Sequence, residues 1–263
     1  MKHTILLFIL AVVITACNVS SKKNVEPENW VLLFNGENLN GWKAKIAGYP
    51  AGENFGNTFR VEDGLLKVSY DAYGDNFNSR FGHLFTEKEY SYYKLRVEYR
   101  FYGEGCKNAP GWTYLNNGVM LHCQAPETMN IDQFFPASIE AQLLGSDENR
   151  QEPTGSVCTP GTDVFVNGVK NPSHCATSSS KLYPWNEWTT MEIVVLGDSI
   201  VHHIIEGDTI MTYTNLTVDG KGLNTETNVI PGPLKIGRIA IQSEGFPTEF
   251  RKIELLDLSD QYK

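Results

Sequence analysis

A chain of 263 residues with a net charge of −9 and no basic cluster is poorly made for nucleic acid, whose phosphates demand a positive footprint. The acidity speaks to solubility and says nothing of substrate. Past the first segment, no apolar run is long enough to span a bilayer as a helix.

The N-terminus reads as a targeting segment. Met1-Lys2-His3 is positive, Thr4 to Ile14 is apolar, and Ile14-Thr15-Ala16-Cys17 brings small residues before a cysteine. That order is the pattern of a lipoprotein signal. Residues 1–16 are expected to be removed, Cys17 to carry the lipid, and the polar stretch 17–29 to act as a tether. A single domain, 30–263, is expected beyond it. The expected location is the bacterial cell envelope, anchored to the outer membrane by lipid alone. Disulfides persist there, away from ATP and NAD.

Strand signals follow in order. Trp30 to Phe34 is apolar and ends at the turn Asn35-Gly36. Phe59 to Glu62 and Leu65 to Tyr70 flank Asp63-Gly64, a hairpin signature. Tyr93 to Phe101 alternates strictly, with Leu95, Val97, Tyr99 and Phe101 on one face and Lys94, Arg96, Glu98 and Arg100 on the other. Gly118 to Cys123 and Ser138 to Leu144 come next. Gly145 to Lys181 lacks clear strand signals, and a long loop of that kind is usually functional. Trp188–Leu196, Ser199–Glu206 and Thr209–Tyr213 read as a meander. Arg238–Ser243 and Glu249–Leu258 close the chain. Many short strands and glycine turns predict an all-β sandwich.

Besides Cys17 there are four cysteines, Cys106, Cys123, Cys158 and Cys175. In an oxidising compartment they suggest two disulfides, for which three pairings exist. The sequence-local pairing, Cys106 with Cys123 and Cys158 with Cys175, closes two loops of similar length. A zinc site using His122-Cys123 and His174-Cys175 is the weaker reading, because no Cys-x-x-Cys pair is present.

Polar residues interrupt three apolar strands. Glu140 and Gln142 share a face, about 7 Å apart along the strand. His122 shares a face with Met120 by the same alternation, and Gln242 and Glu244 share another. On one concave sheet these would line a cleft suited to a sugar, with Trp112, Tyr114, Trp185 and Trp188 as aromatic platforms. Taken singly, each is better explained as a solvated strand face, and Glu140 with Gln142 is the stronger signal because that strand is otherwise apolar.

Leu33-Phe34-Asn35-Gly36, Leu39-Asn40-Gly41-Trp42, Phe59 to Gly64, Asn117 to Leu121, Ile139 to Leu144, Glu187-Trp188-Thr189, Ile241 to Glu244 and Phe250 to Ile253 occur in this order. The ordered set resembles the 3-keto-disaccharide hydrolase domain family, long a bacterial domain of unknown function. The resemblance covers Trp30 to Leu258. It implies a concanavalin A-like jelly roll of two antiparallel sheets, and action on 3-keto-glycosides, sugars already oxidised at C3. Many relatives carry arginine where His122 stands.

A retaining glucanase needs two carboxyl groups about 5–5.5 Å apart. On this fold they come from an E-x-D-x-E strand, and here that strand reads Glu140-Ala141-Gln142-Leu143-Leu144. Gln142 cannot ionise. A 3-keto sugar needs less: one base to take the C2 proton, then β-elimination of the C1 oxygen and hydration, for net hydrolysis. The expected base is Glu140, exchangeable with Glu244. His122 polarises the ketone or protonates the leaving oxygen, and Gln142 and Gln242 orient hydroxyls. Arg100 and Lys181 are candidate enolate stabilisers. No cofactor is assigned with certainty; a bound divalent ion could replace these cations, with Glu140, Glu244 and His122 as its ligands. The expected partner is a 3-keto sugar or glycan. The competing readings are a non-catalytic carbohydrate-binding lipoprotein and, more weakly, a structural envelope protein.

Overall fold

The computed structural model describes residues 28–227 and 229–262. The targeting segment, Cys17 and most of the tether lie outside them. Among the described residues, strands and single 3-10 turns supply the regular structure. They build two sheets in which every strand pairing is antiparallel. The smaller sheet has seven strands, in the order Cys175–Ala176, Val157–Cys158, Ile139–Leu144, Asn116–Cys123, Gly237–Ser243, Gly82–Tyr90 and Trp42–Ile46. The larger has eleven, centred on Thr189–Leu196, Tyr92–Phe101 and Thr248–Asp257.

The two sheets are held face to face by their alternating apolar residues. Tyr93, Leu95, Val97, Tyr99 and Phe101 point inward from the larger sheet, as the alternation predicts. Val119, Leu121, Ile139, Ala141, Leu143, Ile239 and Ile241 join them from the smaller sheet, all fully buried. Each large aliphatic or aromatic side chain so buried contributes about 1.5–3 kcal/mol. The hairpin turn at Asp63-Gly64 has φ of 54° and 76°. Two successive positive φ values are what a two-residue turn between twisted strands requires.

Two strands, Trp42–Ile46 and Gly82–Tyr90, escape the sequence reading. Both are buried along most of their length, so no polar alternation marks them. The stretch 145–181, expected as loop, contributes Val157–Cys158, Thr162–Val166, Val169–Lys170 and Cys175–Ala176. Strands of two to five residues are too short to show a period.

Cys158 and Cys175 sit opposite each other in register and form a disulfide. The other expected pair does not form: among the described residues, Cys106 and Cys123 are free thiols. Cys106 is held at Gly245 by its backbone N–H, whereas Cys123 lies opposite Arg238. The chain from 238 to 245 separates them by roughly 20 Å at the rise of an extended strand. Replacing Cys158 and Cys175 by Ser should lower stability by about 3 kcal/mol, read from urea unfolding under non-reducing conditions.

Candidate active site

The strand Ile139–Leu144 turns Ile139, Ala141 and Leu143 into the core, and so turns Glu140, Gln142 and Leu144 outward. The outward set lines a cavity of about 500 Å³ on the exposed side of the smaller sheet. Glu244, Trp112, Arg150 and His174 complete the walls that matter chemically. Glu140 and Gln142 share this face as the alternation predicts, and the order of strands in the sheet brings Glu244 to them.

Three local features place the two carboxyl groups. Gly118 lies opposite Gln142 on the neighbouring strand, and a Cβ there would come within 2.5 Å of Glu140 Oε1 and 2.9 Å of Gln242 Oε1. The missing side chain lets Glu140 and Gln242 lean over that strand. Gly245 has φ +117°, and a Cβ would meet that of Ala109 at 2.8 Å, so glycine is required where the chain turns after Glu244. The Tyr70 hydroxyl accepts from the Gly245 N–H at 2.8 Å and pairs with Ser243 Oγ at 3.0 Å, bracing both sides of Glu244. Asn117 donates to the Gln242 carbonyl at 2.9 Å, tying the two strands. Gly118→Ala should displace Glu140 and lower kcat/KM at least about 100-fold with a small change in Tm, measured on the substrate proposed below.

Both carboxyl groups favour their protonated forms. Glu140 is 6% exposed, and burial pushes it up to about 8. Glu244, 2% exposed, is held well above the usual carboxylate range, by burial first and then by the charge of Glu140, with Arg150 opposing. Burial also depresses His174, which favours its neutral form. The indole of Trp112, 49% exposed, lies parallel to Phe81 at 5.6 Å and presents a flat face at the rim. Gln142 donates to Asn116 Oδ1 at 3.3 Å.

Several expected residues lie elsewhere. His122 is fully buried between the sheets. The register advances from Met120 to Cys123 on one strand while moving from Ala240 to Arg238 on its neighbour, a one-residue bulge, and His122 has φ 49°. The bulge turns His122 inward, where Nδ1–H donates to the Leu234 carbonyl at 3.0 Å and the ring meets Tyr93 edge-on. Arg100 projects from the outer face of the larger sheet, paired with Glu249 at 2.8 Å and lying over Trp188. Lys181 is exposed and bridges to Glu206 at 2.6 Å. Trp185 packs against the core, and Tyr114 donates to Asp147 at 2.5 Å; neither lines the cavity. The ligand set Glu140, Glu244 and His122 does not assemble, because the bulge removes His122. Cys158, His174 and Cys175 do bring their ligand atoms within 4.8 Å of one another, but the two sulfurs are tied in the disulfide and are not thiolates.

Arg150 went unnoticed in the sequence because it lies in the 145–181 stretch that carries no period, and His174, in the same stretch, drew notice only as part of a zinc site. His83 was missed for a different reason: its strand is buried on both faces.

A β-sandwich carrying two buried carboxyl groups, amide side chains and an indole platform at one cavity defines a carbohydrate-active protein. The chain belongs to the family of 3-keto-alpha-glucoside-1,2-lyase-like domains, whose model matches residues 29–256. No curated protein matches the sequence. Among solved structures, a candidate glycosyl hydrolase from Parabacteroides distasonis is similar over 88% of this chain and 94% of its own, with 17% identity and a TM-score of 0.52. A Bacillus subtilis protein of unknown function with a galectin-like fold is similar over 83% and 90%, with 11% identity and a TM-score of 0.51. These likenesses show the fold: two antiparallel sheets in a concanavalin-like jelly roll, as the resemblance implied.

Proposed function

We propose that the protein cleaves 3-keto-glycosides by proton abstraction at C2 and β-elimination, followed by hydration. The observation that carries this reading is the pair Glu140 and Glu244, two buried carboxyl groups at one cavity, the second held up further by the charge of the first. Neighbouring acids with separated ionisation divide into a base and an acid. Glu140, ionised, takes the C2 proton, and the C2–H electrons enter an enolate on the C3 oxygen. The enolate reforms the ketone as the C1–C2 double bond forms and the C1–O bond breaks. Glu244, still protonated, gives its proton to the leaving oxygen, the role expected of His122. Water then adds its hydroxyl to C1. Its remaining proton restores Glu244, and the proton on Glu140 returns to C2. Arg150, the cation that lines the cavity, helps to stabilise the developing negative charge, in place of Arg100 and Lys181.

Trp112 offers the ring face on which a sugar stacks. The family description, a 1,2-lyase-like domain, supports elimination across C1 and C2. We further propose the lipid-anchored envelope location that the N-terminal pattern suggests.

The test is incubation of the protein with a 3-keto-glucoside in D₂O, with and without chelator. Deuterium should enter C2 and the aglycone should be released. Binding without exchange or release would make this a carbohydrate-binding protein instead.

A further inference from the structure

Beside the cavity lies a row of buried polar side chains with unmet hydrogen bonds. Lys45, His83 and Gln242 stand opposite one another on three adjacent strands of the smaller sheet. His83 and Gln242 have no exposed surface, and Lys45 has 2%. Among the described residues, neither ring nitrogen of His83 has a protein partner, nor has either polar atom of the Gln242 side chain, nor Glu244 Oε1 two residues on. A buried polar group without a partner costs about 1–3 kcal/mol, so five such atoms on one patch weigh heavily against the fold unless something else satisfies them. Lys45 differs, since it donates to the carbonyls of Ile46 and Ile131 at 3.1 and 2.9 Å.

The patch is continuous with the cavity. Gln242 Oε1 and Glu140 Oε1 both crowd the position above Gly118. Phe135 lines the cavity and also meets the His83 ring edge-on at 5.8 Å. Its carbonyl is held by Gln133 at 2.8 Å, so the backbone there is fixed, and the half-buried ring alone lies between His83 and the cavity. Burial beside Lys45 pushes His83 down to about 3, so its imidazole is neutral at physiological pH. A neutral imidazole offers one donor and one acceptor, and the Gln242 amide offers donors and an acceptor. That set matches a ketone next to a hydroxyl.

We propose that His83 and Gln242 form a sugar-binding position beneath Phe135, which receives the ketone and adjoining hydroxyl of the oxidised ring when the Phe135 ring turns aside. The proposal rests on the elimination reading for its ligand, and assigns His83 as a positioning residue that fixes the C2 hydrogen toward Glu140.

The probe is methyl 3-keto-glucoside, with binding measured by calorimetry in a Glu140→Gln host so that turnover does not intervene. Adding His83→Leu should weaken binding about 10- to 100-fold, the loss of one or two good hydrogen bonds. Adding Phe135→Ala should tighten it, because a cover no longer has to move. Unchanged affinity in a folded His83→Leu protein overturns the proposal, as does a host that binds no probe. Should His83→Leu fail to fold, Phe135→Ala decides alone, and equal affinity overturns. The two readings separate cleanly. Wild-type protein that exchanges deuterium at C2 while His83→Leu leaves binding unchanged keeps the elimination and removes the row. Protein that never exchanges, yet binds the probe through His83, removes the elimination and keeps the row.

Discussion

Glu140→Gln is expected to abolish deuterium exchange at C2 and cleavage of a 3-keto-glucoside, lowering kcat by roughly 10²–10⁴-fold, the usual contribution of a positioned general base. The fold should survive, because Gln is isosteric and the carboxyl it replaces is held mainly in its neutral form by burial. Glu244→Gln should behave differently. Proton abstraction at C2 would persist while release of the leaving group slows, so exchange would outrun cleavage. The wild-type rate should rise with pH toward about 8 as Glu140 ionises, and fall once Glu244, itself held up by burial, loses its proton. Removing Glu140 also removes one cause of the upward displacement of Glu244. In the Glu140→Gln protein Glu244 should therefore titrate lower, a change that ¹³C-NMR of labelled carboxyl groups would detect. Equal exchange in wild type and Glu140→Gln would end the assignment of Glu140 as base.

The second large effect concerns stability. Between its ordinary value near 4.5 and about 8, Glu140 holds a proton in the folded protein that the unfolded chain has released. The native state therefore binds more protons across that window, and raising the pH destabilises it. Holding one extra proton across a single pH interval corresponds to about 1.4 kcal/mol, so the burden on the wild type above pH 8 is on the order of several kcal/mol. Glu140→Gln lacks it. The variant should melt higher than wild type by on the order of 10 °C at pH 8–9, with the gap closing as the pH falls to 4.5. A constant difference across the pH range would mean that Glu140 is solvated and ordinary. The same experiment on Glu244→Gln should give a difference of the same sign, since burial raises that carboxyl too.

Together the two experiments ask whether one sheet face can hold a carboxyl group buried enough to stay neutral and open enough to meet a sugar. The close approach at Gly118 is the structural answer. A residue without a side chain creates the space in which Glu140 and Gln242 converge.

Much of this was legible in the chain. The strict alternation from Tyr93 to Phe101 assigned every inward and outward residue, and the structure keeps each of them. The same reasoning placed Glu140 with Gln142, because side chains two apart on a strand share a face whatever the sheet does next. It broke down at His122. There the alternation holds only while both strands advance together, and one extra residue between Met120 and Cys123 reverses the face. Nothing local in Leu121-His122-Cys123 announces that extra residue. The cysteines show a similar limit. Cys158 and Cys175 pair because two short strands set them opposite each other, while Cys106 and Cys123 are parted by the length of a strand that lies far along the sequence.

The sequence by itself determined the all-β class, the inward faces and the common face of Glu140 and Gln142, because these follow from side-chain period and residue chemistry. The tertiary structure alone decided that Arg150 and His174 meet them, that His122 does not, and that His83 lies buried beside Gln242. Those facts depend on strand order and register, which join residues that are distant in the chain and have no local signature.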